Sequence, residues 1–385
     1  MLEMHHQESL EGFAPDALIL TAGPSISQYE SYYAYDAALN GWNSEWSKYL
    51  DLLQHNFKEY IGVKYALATS SCTGAMHIAL LALGVGKGDE VIVPDQTWVA
   101  TANAVRYVQA TPIFVDVNSD DWTVNPTEIE SAISTRTKAI MPVHMYGHPA
   151  NMSKILEIAN KHKLFVVEDA APSIGAEFQG KKTGSFGHFA AFSFQGAKLM
   201  VTGEGGMLLT NDDELYLKAK KIWDQGRNSL INTPFWIDEK GLKYKMSNVQ
   251  AAIGLGQLNR IETLVAMKRR IFKWYNRYLE GNPFVSLNHE PQNSRSVYWM
   301  SSIEVLSSSP VNRDQLIKLL KADSIDTRPV FPAISQYPIW DSEDIQPKPV
   351  ALHVGNNCMN LPSGVRLTEV TVKYICSRVN YHTMN

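Results

Sequence analysis

One lysine between two strand-length apolar runs constrains this chain more than any other feature. Residues 189–212 read F-A-A-F-S-F-Q-G-A-K-L-M-V-T-G-E-G-G-M-L-L-T-N-D. Phe189 to Phe194 is apolar except for Ser193, and Met207 to Leu209 forms a second apolar run. Both have the length and composition of buried strands. The glycines of Thr202-Gly203-Glu204-Gly205-Gly206 let the backbone turn back between them. Lys198 therefore falls between two buried strands. Burial disfavours the ammonium form, lowers a lysine's pKa and makes its amine a usable nucleophile. A solvated lysine on a hairpin loop is the competing reading, since most lysines are exposed.

A second stretch upstream bears on that choice. Leu164-Phe165-Val166-Val167-Glu168-Asp169-Ala170-Ala171 reads as a buried strand ending in acid. Asp169 lies at its C-terminal end, where open α/β sheets carry ligand chemistry. A strand-end aspartate followed by a lysine between strands is the pairing that pyridoxal phosphate needs. The amine condenses with the cofactor aldehyde, and the carboxylate keeps the pyridine nitrogen protonated so that the ring accepts electrons. A helix N-cap is the other use for Asp169. Nearer the N-terminus, Ser71-Cys72-Thr73-Gly74-Ala75 turns from a strand, Tyr65 to Ser70, into a helix, Met76 to Leu83. Small residues ahead of a helix expose backbone N–H groups at its positive end, a ready phosphate site or a plain strand-to-helix turn.

Further strands are expected at Glu90 to Pro94, Thr111 to Val117 and Ala139 to Val143, with helix-like stretches between. That alternation predicts an α/β fold with a largely parallel, doubly covered sheet. Residues 1–23 read as a polar arm, 24–254 as a large domain and 255–385 as a smaller one. Gln28 to Leu53 is rich in Tyr and Trp and partly helical, and Gln225 to Glu239 reads as a loop. One long helical pattern from Gly254 to Leu279 leads into the smaller domain. There a strand is expected at Val297 to Val305 and a helix at Arg313 to Ala322.

Net charge is −4 with no basic block, which argues against nucleic acid as a partner. Cys72, Cys358 and Cys376 are widely spaced, so neither a disulfide framework nor a Cys-x-x-Cys metal site is expected, and a reducing cytoplasm fits. His5-His6 has no further ligands at metal spacing, so no metal is expected. No secretory signal is seen at the N-terminus. Ala66 to Gly86 lacks Asp, Glu, Lys and Arg, but polar residues from Ser70 to His77 make it a buried strand, turn and helix rather than a membrane span.

Several ordered motifs together resemble the DegT/DnrJ/EryC1/StrS sugar aminotransferases, nearest the perosamine-synthase branch. They are Ser193-Phe194-Gln195-Gly196-Ala197-Lys198, Thr202 to Met207, Glu168-Asp169-Ala170-Ala171, Met141 to Gly147, Met246 to Gly254 and Thr327-Arg328-Pro329-Val330-Phe331. The resemblance runs from about Gly62 to Leu361. It implies an aspartate aminotransferase-like (type I pyridoxal phosphate) fold, with a mostly parallel seven-stranded sheet and a smaller α/β domain. It implies Lys198 and Asp169 as catalytic residues, and Thr73, Gly74 and Ser193 at the cofactor phosphate. Trp98 would cover the cofactor ring, or else be a core tryptophan. Lys243 would reach the neighbouring subunit's cofactor phosphate, or else be solvated. His144, Tyr146 and Arg328 would face the substrate, with a structural role for His144 the alternative. The implied reaction moves an amino group from L-glutamate to a keto sugar, with a homodimer sharing its active sites. A nucleotide-linked 4-keto-6-deoxyhexose is the first choice of acceptor and an oxidised octulosonate (8-amino-8-deoxy-Kdo type) the second.

Three positions depart from the family pattern. Pro172 lacks the side chain that contacts the cofactor hydroxyl, leaving Ser173 or water to do so. Lys243 replaces an asparagine, and Pro332 replaces a histidine on the sugar side. A keto-deoxysugar dehydratase is a rival, although such relatives often carry histidine in place of the lysine. A non-catalytic regulator or sugar-binding protein is the rival of another class.

Overall fold

The computed structural model describes residue 15, residues 17–227, residue 233, residues 236–340 and residues 345–384. Seven strands form the larger sheet: β1 (Tyr65–Thr69), β2 (Glu90–Pro94), β3 (Thr111–Val115), β4 (Thr137–Ile140), β5 (Phe165–Asp169), β6 (Phe189–Ser193) and β7 (Gly206–Thr210). Their order is β1-β7-β6-β5-β4-β2-β3. β7 runs antiparallel to both neighbours, and the remaining pairs are parallel. The mostly parallel seven-stranded sheet expected for an aspartate aminotransferase-like chain is thus present.

Both faces of the sheet are buried, which is why its strands are apolar along their whole length. Along β2, Val91 and Val93 join the core that includes Ala75, Met76 and Ala79 of the Cys72–Ala82 helix. Ile92 points the other way and packs with Ile155 and Ala159 of the Met152–His162 helix. Between β6 and β7 the backbone needs its glycines: Gly203 has φ 86° and Gly205 φ 155°, values side chains resist. Gly206 is required for space. A Cβ there would lie 2.6 Å from the Cys72 nitrogen and 2.8 Å from the Phe192 oxygen. Glycine lets β7 pass directly against the N-terminus of the Cys72–Ala82 helix.

A smaller antiparallel sheet joins Val285–Leu287, Ser301–Val305, Cys358–Leu361 and Arg328–Pro329, in that order. Its core includes Ile271, Tyr275, Leu316, Ile303 and Val372. The single helical pattern expected from Gly254 to Leu279 is in fact two helices, Asn248–Leu258 and Ile261–Leu279. The break falls at Arg260 (φ −125°, ψ 17°), whose Nε lies 2.7 Å from the buried Glu30 carboxylate. Without that partner the Glu30 carboxylate would be left buried with no opposite charge, which is costly. The strand expected at Val297 to Val305 is confined to Ser301–Val305. Val297 and Trp299 instead donate their N–H groups to the carbonyls of Gly147 and Tyr146, and Tyr298 has φ 46°.

Two strand-end aspartates tie the parts together. Asp95, just past β2, accepts from Ser335 N and Oγ (both 2.8 Å) and from Lys348 N (2.9 Å). Burial raises its pKa against those hydrogen bonds. Asp116, just past β3, accepts from Val350 N and Ala351 N at 2.9 Å each and so caps the Pro349–Asn357 helix. The arm expected at residues 1–23 lies partly outside the described residues. Its last part is docked: Ile19 bridges Ile325, and Thr21 Oγ1 donates to Asp326 Oδ2 at 2.7 Å. The loop expected at Gln225 to Glu239 also lies partly outside the described residues.

Gly206→Ala should destabilise the chain by about 1–3 kcal/mol, because the methyl meets backbone on two sides, the Ser71–Cys72 peptide and the Phe192 carbonyl. A thermal unfolding midpoint equal to that of the unsubstituted chain would contradict the close approach.

Candidate active site

The C-terminal ends of β5 and β6 and the first turn of the Cys72–Ala82 helix open onto a cavity of about 720 Å3. Thr73, Trp98, Tyr146, Asp169, Ser193, Lys198 and Arg328 all line it. Register explains the grouping: Asp169 on β5 pairs with Ala191 on β6, and Ser193 at the end of β6 pairs with Gly206.

The turn carrying Lys198 is closed by Phe194 N to Gly205 O (2.9 Å), Thr202 N to Phe194 O (2.8 Å) and Lys198 N to Gln195 O (2.8 Å). This seats the lysine on the cavity wall rather than on a solvated hairpin. Burial lowers its pKa to about 8, with the nearby Asp169 charge and Cys72 pulling the other way. Its Nζ lies 3.7 Å from the centre of the Trp299 ring. Asp169 is buried and fixed: Thr101 Oγ1 donates to its Oδ2 at 2.7 Å, and Ala171 N donates to its Oδ1 at 3.1 Å. A turn rather than a helix follows it, so it is not an N-cap.

Ser71 caps the neighbouring helix, accepting from Gly74 N at 3.0 Å. Gly74 itself is buried, and a Cβ there would meet the Tyr244 ring at 3.0 Å. The helix start faces the cavity through Cys72 and Thr73, where an anion would meet its positive end. Trp98 is not a core residue: it is 55% exposed on the cavity wall, its ring 5.4 Å from that of Phe331.

Tyr146 is buried at the cavity floor (φ 49°), its ring stacked on Trp299 at 5.7 Å and on Phe331 at 5.5 Å. Its hydroxyl accepts from Phe331 N at 3.3 Å and Asn360 Nδ2 at 3.2 Å. Arg328 is an exposed side chain at the rim, 3.3 Å from Asp326. Burial would raise the pKa of Asp326, but hydrogen bonds from Thr21 and the Arg328 charge outweigh it and lower it.

Other expected residues lie elsewhere. His144 is fully buried and does not line the cavity, which corrects its assignment to the substrate. Its Nε2 is 3.0 Å from Glu168 Oε2, and its Nδ1 accepts from Ala150 N at 3.1 Å, so both nitrogens are used inside the fold. Glu168 also accepts from Gly184, Phe186 and Gly187 N–H groups, so the histidine belongs to a structural anchor. Ser173 cannot replace the side chain missing at Pro172. It is buried, and its Oγ lies 3.2 Å from Ala170 O and 3.0 Å from Thr183 Oγ1. Lys243 is exposed and outside the cavity, bridged through its backbone to Asp224.

Trp299 and Asn360 also line the cavity, outside every motif that the sequence shows. Nothing local marks them, because their neighbours in space are distant in sequence. Trp299 is fixed from three directions. Its N donates to Tyr146 O (2.9 Å), its Nε1 to Ala197 O (2.8 Å), and its carbonyl accepts from Lys268 Nζ (2.7 Å).

A half-buried lysine of lowered proton affinity, a buried strand-end carboxylate and a helix N-terminus around one cavity suit pyridoxal phosphate. The fold and this cavity are those of a pyridoxal-phosphate enzyme of the aspartate aminotransferase-like class. The chain belongs to the DegT/DnrJ/EryC1/StrS aminotransferase family, which matches residues 24–380, and is a pyridoxal-phosphate-dependent sugar aminotransferase. It is 39% identical to GDP-perosamine synthase of Caulobacter vibrioides, over 94% of this chain and 97% of the relative. It is 40% identical to GDP-perosamine synthase of Escherichia coli O157:H7, over 93% of this chain and 96% of the relative. The solved aminotransferase from Psychrobacter cryohalolentis superposes with a TM-score of 0.89 at 28% identity, over 95% of this chain and all (100%) of that one. Among the described residues no helix is long and apolar enough to cross a membrane.

Only a neutral amine attacks an aldehyde. The rate at which the cofactor-free chain takes up pyridoxal phosphate should therefore rise with pH to a plateau, with a midpoint near 8. A midpoint near the ordinary lysine value of 10.5, read from the visible absorbance of the loaded protein, would contradict the burial of Lys198.

Proposed function

We propose that the chain transfers the amino group of L-glutamate to a nucleotide-linked 4-keto-6-deoxyhexose, making an amino sugar for cell-surface polysaccharide or lipopolysaccharide. The observation that carries this reading is the Lys198 amine and the Asp169 carboxylate on one cavity wall. Pyridoxal phosphate, when bound, supplies an aldehyde that condenses with amines and a protonated ring that draws electrons from the donor's Cα–H bond. Lys198 holds the cofactor, is displaced by the donor amine, and then carries the proton lost from the donor's α-carbon. Asp169 keeps the ring nitrogen protonated. Ser193 Oγ and the Thr73–Gly74 turn hold the phosphate, and Trp98 covers the ring and excludes water. Arg328, exposed at the rim, meets an anionic group of donor or acceptor. Tyr146 shapes the floor, its hydroxyl already engaged by Phe331 and Asn360.

Two relatives named for a GDP-linked sugar, matched over most of their length, favour a nucleotide-linked acceptor over the octulosonate. The dehydratase and non-catalytic readings are not favoured. The same reading has the enzyme act in the cytoplasm, which its free, buried Cys72, Cys358 and Cys376 suit. The chain then divides near residue 254 into a cofactor-binding and a smaller domain.

A homodimer belongs to this proposal. Tyr29, Tyr32, Tyr35, Leu39, Trp42 and Trp46 all stand exposed on one aromatic stretch, a surface that monomers rarely leave bare. Lys243 then points its charge toward the neighbour's phosphate.

Lys198→Arg should abolish both amino transfer and the bond to pyridoxal phosphate that borohydride traps, because a guanidinium stays protonated. Mass spectrometry of products from a panel of keto sugars with glutamate identifies the acceptor, and undiminished transfer by the arginine variant would refute the mechanism. Light scattering should give twice the chain mass, and a monomer at working concentration would remove the shared-site arrangement.

A further inference from the structure

Between leaving and regaining the cofactor, the Lys198 amine needs somewhere to rest while it holds a proton. We propose that the face of the Trp299 indole is that seat, which makes Trp299 a catalytic residue that stabilises the protonated amine. This inference rests on the assignment of Lys198 as the cofactor lysine.

The geometry is specific. Lys198 Nζ stands 3.7 Å from the ring centre, within cation–π range. The indole cannot swing away, since its N–H donates to Ala197 O, immediately before Lys198 in the chain. One end of that hydrogen bond therefore moves with the lysine segment, and the ring and the amine keep their register. On the main chain, Trp299 N donates to the Tyr146 carbonyl, and its own carbonyl accepts from the buried Lys268 amine, whose pKa burial lowers to about 7. Tyr146 stacks on the indole, and Phe331 stacks on Tyr146, so the ring belongs to a packed aromatic group.

A ring face suits the task better than a second carboxylate would. A group that shuttles a proton must bind it and also give it up. An ion pair in a dry cavity would hold the ammonium too firmly, whereas a quadrupole attracts it weakly. Asp169 and Cys72 act on the amine electrostatically, and Glu204, Tyr146, Asp326 and Arg328 line the same cavity. Of these elements, the Trp299 ring is in direct contact with Nζ.

The test uses the full chain, stripped of cofactor and reloaded with pyridoxal phosphate from neutral to alkaline pH, with loading rate read from the visible band. Trp299→Leu keeps the site apolar but removes the ring face. The loading midpoint should fall below about 8 by about half a unit to one and a half units. Trp299→Phe keeps a weaker face and should fall by less. Identical midpoints in all three chains overturn the inference, as does slower loading with an unmoved midpoint, which marks a steric role. If the leucine chain fails to fold, the phenylalanine chain decides, and its midpoint must still drop. Should the unsubstituted chain form no visible band, the assignment of Lys198 falls instead.

Discussion

A half-buried amine on the same cavity wall as a buried carboxylate is the constraint around which this molecule is arranged. Lys198 can sit there only because the chain enters and leaves its turn at the same end of the sheet. β6 runs parallel to β5, so its end lies beside Asp169. β7 returns antiparallel, so the intervening turn stays over those ends. Gly206 then lets β7 pass against the start of the Cys72–Ala82 helix, which brings Thr73 to the same cavity. Each step is a local requirement on glycine or strand direction, and together they place amine, acid and helix terminus within one enclosure.

The opposite wall comes from the smaller sheet and has to be held in place. Asp95 and Asp116, at neighbouring strand ends, accept five backbone or hydroxyl hydrogen bonds from residues 335–351. Gln96 Nε2 adds a bond to Phe331 O at 2.6 Å. The donors to these two carboxylates replace water that burial removes. Phe331, Arg328 and Asn360 reach the cavity through it.

How much of this was legible beforehand follows from the range of each interaction. Apolar runs marked the strands because the sheet is buried on both faces, and the Lys198 and Asp169 motifs lie within such runs. Helix Arg313–Ala322 lies where the sequence places one. Arg260 broke a helix that its own pattern would have continued, because Glu30, far away in sequence, claimed it. His144 looked like a cleft residue, since nothing local reveals that Glu168 takes its ring. Trp299 escaped notice for the same reason: its partners, Tyr146, Ala197 and Lys268, are scattered along the chain.

The placement of β1 has a consequence for how the chain is made. Its sheet neighbour is β7, with Tyr65 opposite Thr210 and Thr69 opposite Gly206. On the ribosome, β1 emerges first of the seven strands and must wait for the last before its backbone is paired. Throughout that interval an apolar edge is available to neighbouring nascent chains. Synthesis speed and chaperone access between residues 69 and 206 therefore bear on yield, independently of how stable the finished sheet is.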